Sequence, residues 1–298
     1  MAATRLSGVI AAIATAIDET GEPDCGRSTV LARFLLDNGC DALNVLGTTG
    51  EATSFSTEQR RRAMDAYRAA GLPMERLMVG TGAAAVGDAV DLSVHAAELG
   101  FAGALILPPF YYKGVSDEGL LAYVDRIVAA TRDRAIPIYL YNFPALSGLA
   151  WSPELVARLR SKFGARIAGL KDSSGDLAYS RAIAAIAPGL AVFPSTEATL
   201  MEARKGPFAG CISATANLNA DLCARAYRAG DALALEAAVN IRKLFDAKPL
   251  IAGVKAVLAH VHGDAAWGRL MPPLTPLAAA ERAGILAGYD RVRARRVA

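Results

Sequence analysis

Short apolar runs bounded by Gly, Pro, Asn or Thr alternate along the chain with longer stretches whose apolar positions recur at helical spacing. Eight runs read as strands: Gly8–Ala16, Asp41–Leu46, Arg76–Gly80, Ala102–Leu107, Ile136–Tyr141, Arg166–Leu170, Leu190–Phe193 and Gly210–Ser213. They lack polar alternation, which predicts strands covered on both faces, as in a parallel sheet under helices. The intervening stretches carry helix signals. Ser56 opens a capping box with Gln59, Ser116 precedes two acids, and Ser152-Pro153 is a cap followed by a first-turn proline. Gly71, Gly100 and Gly230 stand where helices should stop. Strand and helix repeat about every 25–30 residues, so eight units fit in residues 1–230 and predict an α/β fold of the TIM (β/α)₈ barrel type. The competing architecture is a doubly wound open sheet. Residues 231–298 carry no strand signal. A helical stretch over Ala232–Phe245, a second through His260 and a third from Leu277 predict a C-terminal helical extension packed on the barrel.

The chain has 298 residues, 53% of them hydrophobic, with 32 basic against 29 acidic side chains. That near balance, with the basic residues dispersed, argues against a nucleic-acid partner. Short basic runs at Arg60–Arg62 and at Arg291, Arg293, Arg295 and Arg296 read as solvated helix faces. Four cysteines without CxxC spacing give no disulfide framework, and three histidines without zinc spacing give no metal site. No apolar run reaches the ~20 residues that cross a bilayer. Arg5 followed by the apolar Gly8–Ile17 could mimic a short signal peptide, but the same residues read equally as a buried first strand. The barrel needs that strand, so the chain is expected in the cytoplasm.

In such a barrel the reactive groups stand at the C-terminal strand ends and in the loops that follow them. Of seven lysines, only Lys171 follows directly from an inferred inner strand. Packing there disfavours the ammonium form, and a neutral amine can attack a ketone to form a Schiff base. The bland alternative is a lysine that ends a strand and reaches solvent. Tyr141 closes the neighbouring strand, so its phenol could relay protons beside Lys171; otherwise it is a packed core tyrosine. Gly47 and Gly50 flank Thr48 and Thr49, letting backbone amides and hydroxyls turn toward a carboxylate. An ordinary strand-to-helix turn accounts for that loop as well. No phosphate-binding GxxxxGK occurs, and no glycine-rich loop follows strand seven.

Taken together, GTTGEAT, PPFYY, YNFPALSG, GLKDSSGD and GCISATAN resemble the dihydrodipicolinate synthase and N-acetylneuraminate lyase superfamily of class I aldolases, in order and spacing. The resemblance implies that Lys171 forms the imine with pyruvate and that Tyr141 relays protons. It implies that Thr48 links Tyr141 to Tyr112, a second tyrosine that reaches the site of an adjacent subunit in a dimer of dimers. Thr49, with the loop amides about Gly47, would hold the pyruvate carboxylate, Ile212 would line the pyruvate pocket, and Ser173 falls among the substrate-binding residues. No metal or organic cofactor is implied. Two departures bear on substrate. Leu146 stands where lysine-pathway synthases carry an arginine for the aldehyde's carboxylate. Glu197 resembles the acid that binds sugar hydroxyls in sialic acid lyases, yet Ala198 and Ala214 replace polar contacts there and Ser195 replaces a glycine. The resemblance therefore implies a pyruvate-dependent lyase joining or splitting a 2-oxo acid and an aldehyde at C3–C4, with 2-oxo-3-deoxy sugar acids or 4-hydroxy-2-oxo acids as substrates and dehydration through the same imine as a variation. Dihydrodipicolinate synthase, N-acetylneuraminate lyase and a non-catalytic 2-oxo-acid sensor are the alternatives.

Overall fold

The computed structural model describes residues 5–294, so Arg295 and Arg296 lie outside the described residues. Every predicted strand forms, four of them shorter by a residue or two and the first by four: β1 (Gly8–Ala12), β2 (Ala42–Val45), β3 (Leu77–Gly80), β4 (Gly103–Ile106), β5 (Ile138–Asn142), β6 (Ile167–Asp172), β7 (Ala191–Pro194) and β8 (Gly210–Ser213). All pairings are parallel, in the order β7-β6-β5-β4-β3-β2-β1-β8. Across the remaining gap Ala209 N donates to Val192 O at 2.9 Å, so the two end strands meet and the sheet closes. A doubly wound sheet would leave them as distant edges. The fold is the TIM barrel.

Helices α1 (Cys25–Asp37), α2 (Thr57–Ala69), α3 (Val86–Leu99), α4 (Asp117–Ala130), α5 (Pro144–Ser147), α6 (Pro153–Phe163), α7 (Leu177–Ala184), α8 (Leu200–Ala203) and α9 (Ala216–Ala224) fall between and after the strands. The start signals act as read. Ser56 and Gln59 exchange side-chain and backbone hydrogen bonds, Ser116 caps α4, and Ser152 caps α6 ahead of Pro153. Three further helices follow: α10 (Ala232–Lys243), α11 (Leu250–His262) and α12 (Ala279–Ala294). Among the described residues no helix is long and apolar enough to cross a membrane.

The first strand stops earlier than its apolar run. Ile13, Ala14, Ala16 and Ile17 remain buried, and Ile13 N still bonds the β2 carbonyl of Asn44, but beyond it the amides leave the ladder: Ala14 N reaches Asn217 Oδ1 and Ala16 N reaches Ser28 Oγ. Apolarity reported burial there, and side-chain acceptors took over the backbone.

The barrel interior is packed by Ile10, Ala12, Met78, Leu105, Tyr139, Phe193 and Ile212. Tyr139 fits because two strand residues beside it are glycine. A Cβ at Gly103 would lie 2.6 Å from its ring and one at Gly169 would lie 2.8 Å from it. This floor fills the barrel interior below the C-terminal strand ends.

The Arg60–Arg62 run is a solvated face only in part. Arg61 pairs with Asp91, and Arg62 pairs with Glu22 and Glu58, on the surface. Arg60 is buried and donates to Gly80 O at 2.8 Å and Gly82 O at 3.3 Å, and burial lowers its pKa to about 10. Consecutive helix residues point ~100° apart, so a charge run along the sequence is not a charge run on one face.

Candidate active site

Strand pairing brings the two central residues together. Tyr141 of β5 is in register with Lys171 of β6, and Lys171 with Phe193 of β7. Lys171 lies inside β6 rather than after it, is only 3% exposed, and places its Nζ 4.2 Å from the centroid of the Tyr141 ring. The Tyr141 hydroxyl shares a hydrogen bond of 3.1 Å with Thr48 Oγ1 and accepts a long one, 3.5 Å, from Ser173 Oγ. A lysine, a phenol and two hydroxyls thus form one connected set at the end of the barrel.

The strand ends that carry this set are pinned from behind. Asp172 accepts hydrogen bonds from Asn142 Nδ2, Ser174 N, Ser174 Oγ and Ser180 Oγ, all between 2.7 and 3.0 Å. Trp151, fully buried, donates its indole N–H to Tyr141 O at 3.1 Å and its backbone N–H to Asn142 Oδ1 at 3.2 Å. Alternation along β6 turns Lys171 inward and Asp172 outward, so neighbouring residues serve chemistry and support respectively. Sequence reading picked out neither Asp172 nor Trp151.

A cavity of about 520 Å³ opens over Lys171. Thr48, Thr49, Tyr141, Leu146, Lys171, Ser173 and Ile212, all singled out in the sequence, line it, and so does Ser195. Three candidates stand elsewhere. Gly47 borders a smaller neighbouring cavity, and a Cβ there would lie 2.5 Å from Asn44 Oδ1, which gives the glycine a packing reason of its own. Tyr112 is 71% exposed and stacks edge-to-face on Tyr111, with ring centroids 5.3 Å apart. Glu197, where a contact with sugar hydroxyls was expected, does not line the cavity. It is fully buried, and its Oε1 accepts from Ser213 Oγ at 2.7 Å and from Thr215 Oγ1. Two hydroxyls behind β8 outcompete the pocket for that carboxylate.

The rest of the wall had no sequence signal. Arg242, Pro249–Ala252 and Pro273–Thr275, from α10, α11 and the segment before α12, close the side of the cavity away from the strands. In sequence these look like surface helix residues and a proline-rich link. What marks them is proximity, which only the fold supplies.

A model of the dihydrodipicolinate synthetase family matches residues 5–287. The chain belongs to this family. It is 31% identical over 293 residues to an uncharacterized DapA-like lyase of Chloroflexus aurantiacus, covering 96% of this chain and 97% of that protein. It is 30% identical over 247 residues to a protein of Escherichia coli K12 named "Probable 2-dehydro-3-deoxy-D-pentonate aldolase", covering 80% of each. The crystal structure of dihydrodipicolinate synthase from Agrobacterium tumefaciens superposes with a TM-score of 0.90 at 28% identity, over 96% of this chain and 99% of that one. As a dihydrodipicolinate synthetase family member the chain is a lyase of aldolase type, on the barrel the sequence predicted.

Proposed function

We propose that the chain is a class I, Schiff-base-forming lyase that splits or joins a 2-oxo acid at C3–C4. The observation that carries this reading is a buried lysine in register with a tyrosine whose hydroxyl is already bonded to Thr48, at the base of the cavity. The Lys171 amine adds to the keto carbon, and loss of water leaves an imine. Once protonated, the imine accepts the electron pair of the C3–C4 bond as a proton leaves the C4 hydroxyl. An aldehyde departs and an enamine remains on Lys171. Protonation at C3 and addition of one water return pyruvate and the free amine; condensation runs the same steps in reverse. Tyr141 moves the protons, with Thr48 and Ser173 on its hydroxyl, and Thr49 with the nearby backbone amides receives the 2-oxo acid's carboxylate. Substrates of this reading are 2-oxo-3-deoxy sugar acids or other 4-hydroxy-2-oxo acids. Leu146, on the cavity wall and 59% exposed, stands where lysine-pathway synthases present an arginine, so the charge of any anionic aldehyde has to be met elsewhere on the wall.

The test is borohydride reduction in the presence of pyruvate. Mass spectrometry should find a reduced pyruvyl adduct on the peptide holding Lys171; an unmodified peptide sinks the reading. Tyr141→Phe should then lower kcat by roughly 10²–10⁴ while leaving KM for the 2-oxo acid within a few fold, as measured by steady-state pyruvate release. An unchanged kcat would remove the phenol from the mechanism. The same reading gives exposed Tyr112 a place in the site of a second copy of the chain. Sedimentation of the purified protein as a monomer at assay concentration would exclude that role.

A further inference from the structure

Lys171 and Arg242 are the two basic side chains on the large cavity, and among the described residues no carboxylate lines it. Arg242 sits in the last turn of α10 with its side chain 29% exposed. Its Nη1 lies 3.4 Å from Ser213 Oγ and 3.5 Å from Glu197 Oε2, the buried carboxylate oxygen that has no hydrogen-bond partner of its own. Among the described residues its Nε and Nη2 make no hydrogen bond. One corner of the guanidinium is therefore held from behind, and the remaining donors are left for whatever fills the cavity. Glu197, held in turn by Ser213 and Thr215, orients the fork at the cost of part of its field.

The complementary group can be narrowed by counting donors and acceptors. Guanidinium donates and never accepts, whereas a carboxylate accepts and never donates. Hydroxyls of Ser195 and Thr275 also line the cavity, but Phe143, Leu146, Leu250, Ile251, Pro273 and Leu274 give much of the remaining wall an apolar character and leave Arg242 as its charged group. With the iminium's charge met by the 2-oxo acid's own carboxylate, Arg242 remains as a second positive charge on the cavity, paired only from behind by Glu197.

We propose that Arg242 binds a second carboxylate, at the end of the substrate away from the imine, so that the preferred substrates are dicarboxylic 4-hydroxy-2-oxo acids and the aldehyde released is itself anionic. This rests on the Schiff-base reading above. Arg242 takes over from the opposite wall the role that Leu146 cannot perform.

The experiment compares kcat/KM for five- and six-carbon 4-hydroxy-2-oxo acids ending in a carboxylate with the same chains ending in a hydroxymethyl group. The wild-type protein should favour the carboxylates by roughly 30-fold or more. Arg242→Gln should collapse that ratio, and Arg242→Lys should restore part of it. A wild-type preference for hydroxymethyl substrates overturns the proposal without any variant, as does a ratio unchanged in Arg242→Gln. Borohydride trapping of pyruvate, run alongside, separates the two levels. An adduct on Lys171 with no carboxylate preference defeats the Arg242 assignment alone, and no adduct defeats both.

Discussion

Lys171→Ala should lower turnover of any cleaved 2-oxo acid by roughly 10⁴-fold or more, because the proposed covalent step runs through its amine. Tyr141, Thr48, Thr49 and Ser173 would remain in place around the vacated position, so the variant should still fold and bind pyruvate reversibly. Calorimetric titration together with pyruvate-release assays separates these effects: binding retained and turnover lost is the expected pattern. Turnover within tenfold of wild type would mean that the barrel uses some other group. Lys255 is the main rival for a buried amine, and its geometry sets it apart, since its Nζ is committed to Glu51 and to Arg269 O at 2.7 Å and does not face the cavity.

That second lysine underlies the other large effect. Lys255 and Glu51 are both fully buried, and burial lowers the lysine's pKa while Glu51 raises it. Glu51 follows the Thr48-Thr49-Gly50 loop in a left-handed conformation, φ +54°, and its Oε2 accepts from Met271 N at 2.8 Å. The pair thus ties the loop bearing the tyrosine's partner to α11 and to the segment that walls the cavity. Removing one member leaves the other as an unpaired buried charge, which typically costs about 3–5 kcal/mol. Lys255→Met should lower the unfolding midpoint by roughly 10 °C, read by differential scanning calorimetry. Adding Glu51→Gln should recover part of the loss, because two neutral groups no longer leave a charge stranded. A midpoint unmoved by Lys255→Met would show that the pair carries no net stability.

The eight strands were legible because burial on both faces leaves long apolar runs with sharp polar punctuation. Lys171 was legible for a related reason, since a cation directly after such a run is expensive unless used. Orientation was harder to read. Glu197 lies in the loop after β7, where the sequence does not say which way a side chain turns, and Ser213 and Thr215 drew it behind β8. Arg60 was misread in the same way: adjacent arginines look equivalent in a string, yet one helix sends them to different surroundings. Arg242 was invisible because its value depends on where α10 ends over the barrel mouth, a tertiary fact with no local pattern.

The helices that follow the barrel have one more consequence. Bond making and breaking are assigned to strand-borne residues, while much of the opposing wall is drawn from Arg242 to Thr275. On the proposed reading, replacements in that later stretch would retune which partner is accepted while Lys171 and Tyr141 stay fixed by sheet register. That makes the stretch from Arg242 to Thr275 the natural unit to exchange when redirecting the protein toward a new aldehyde.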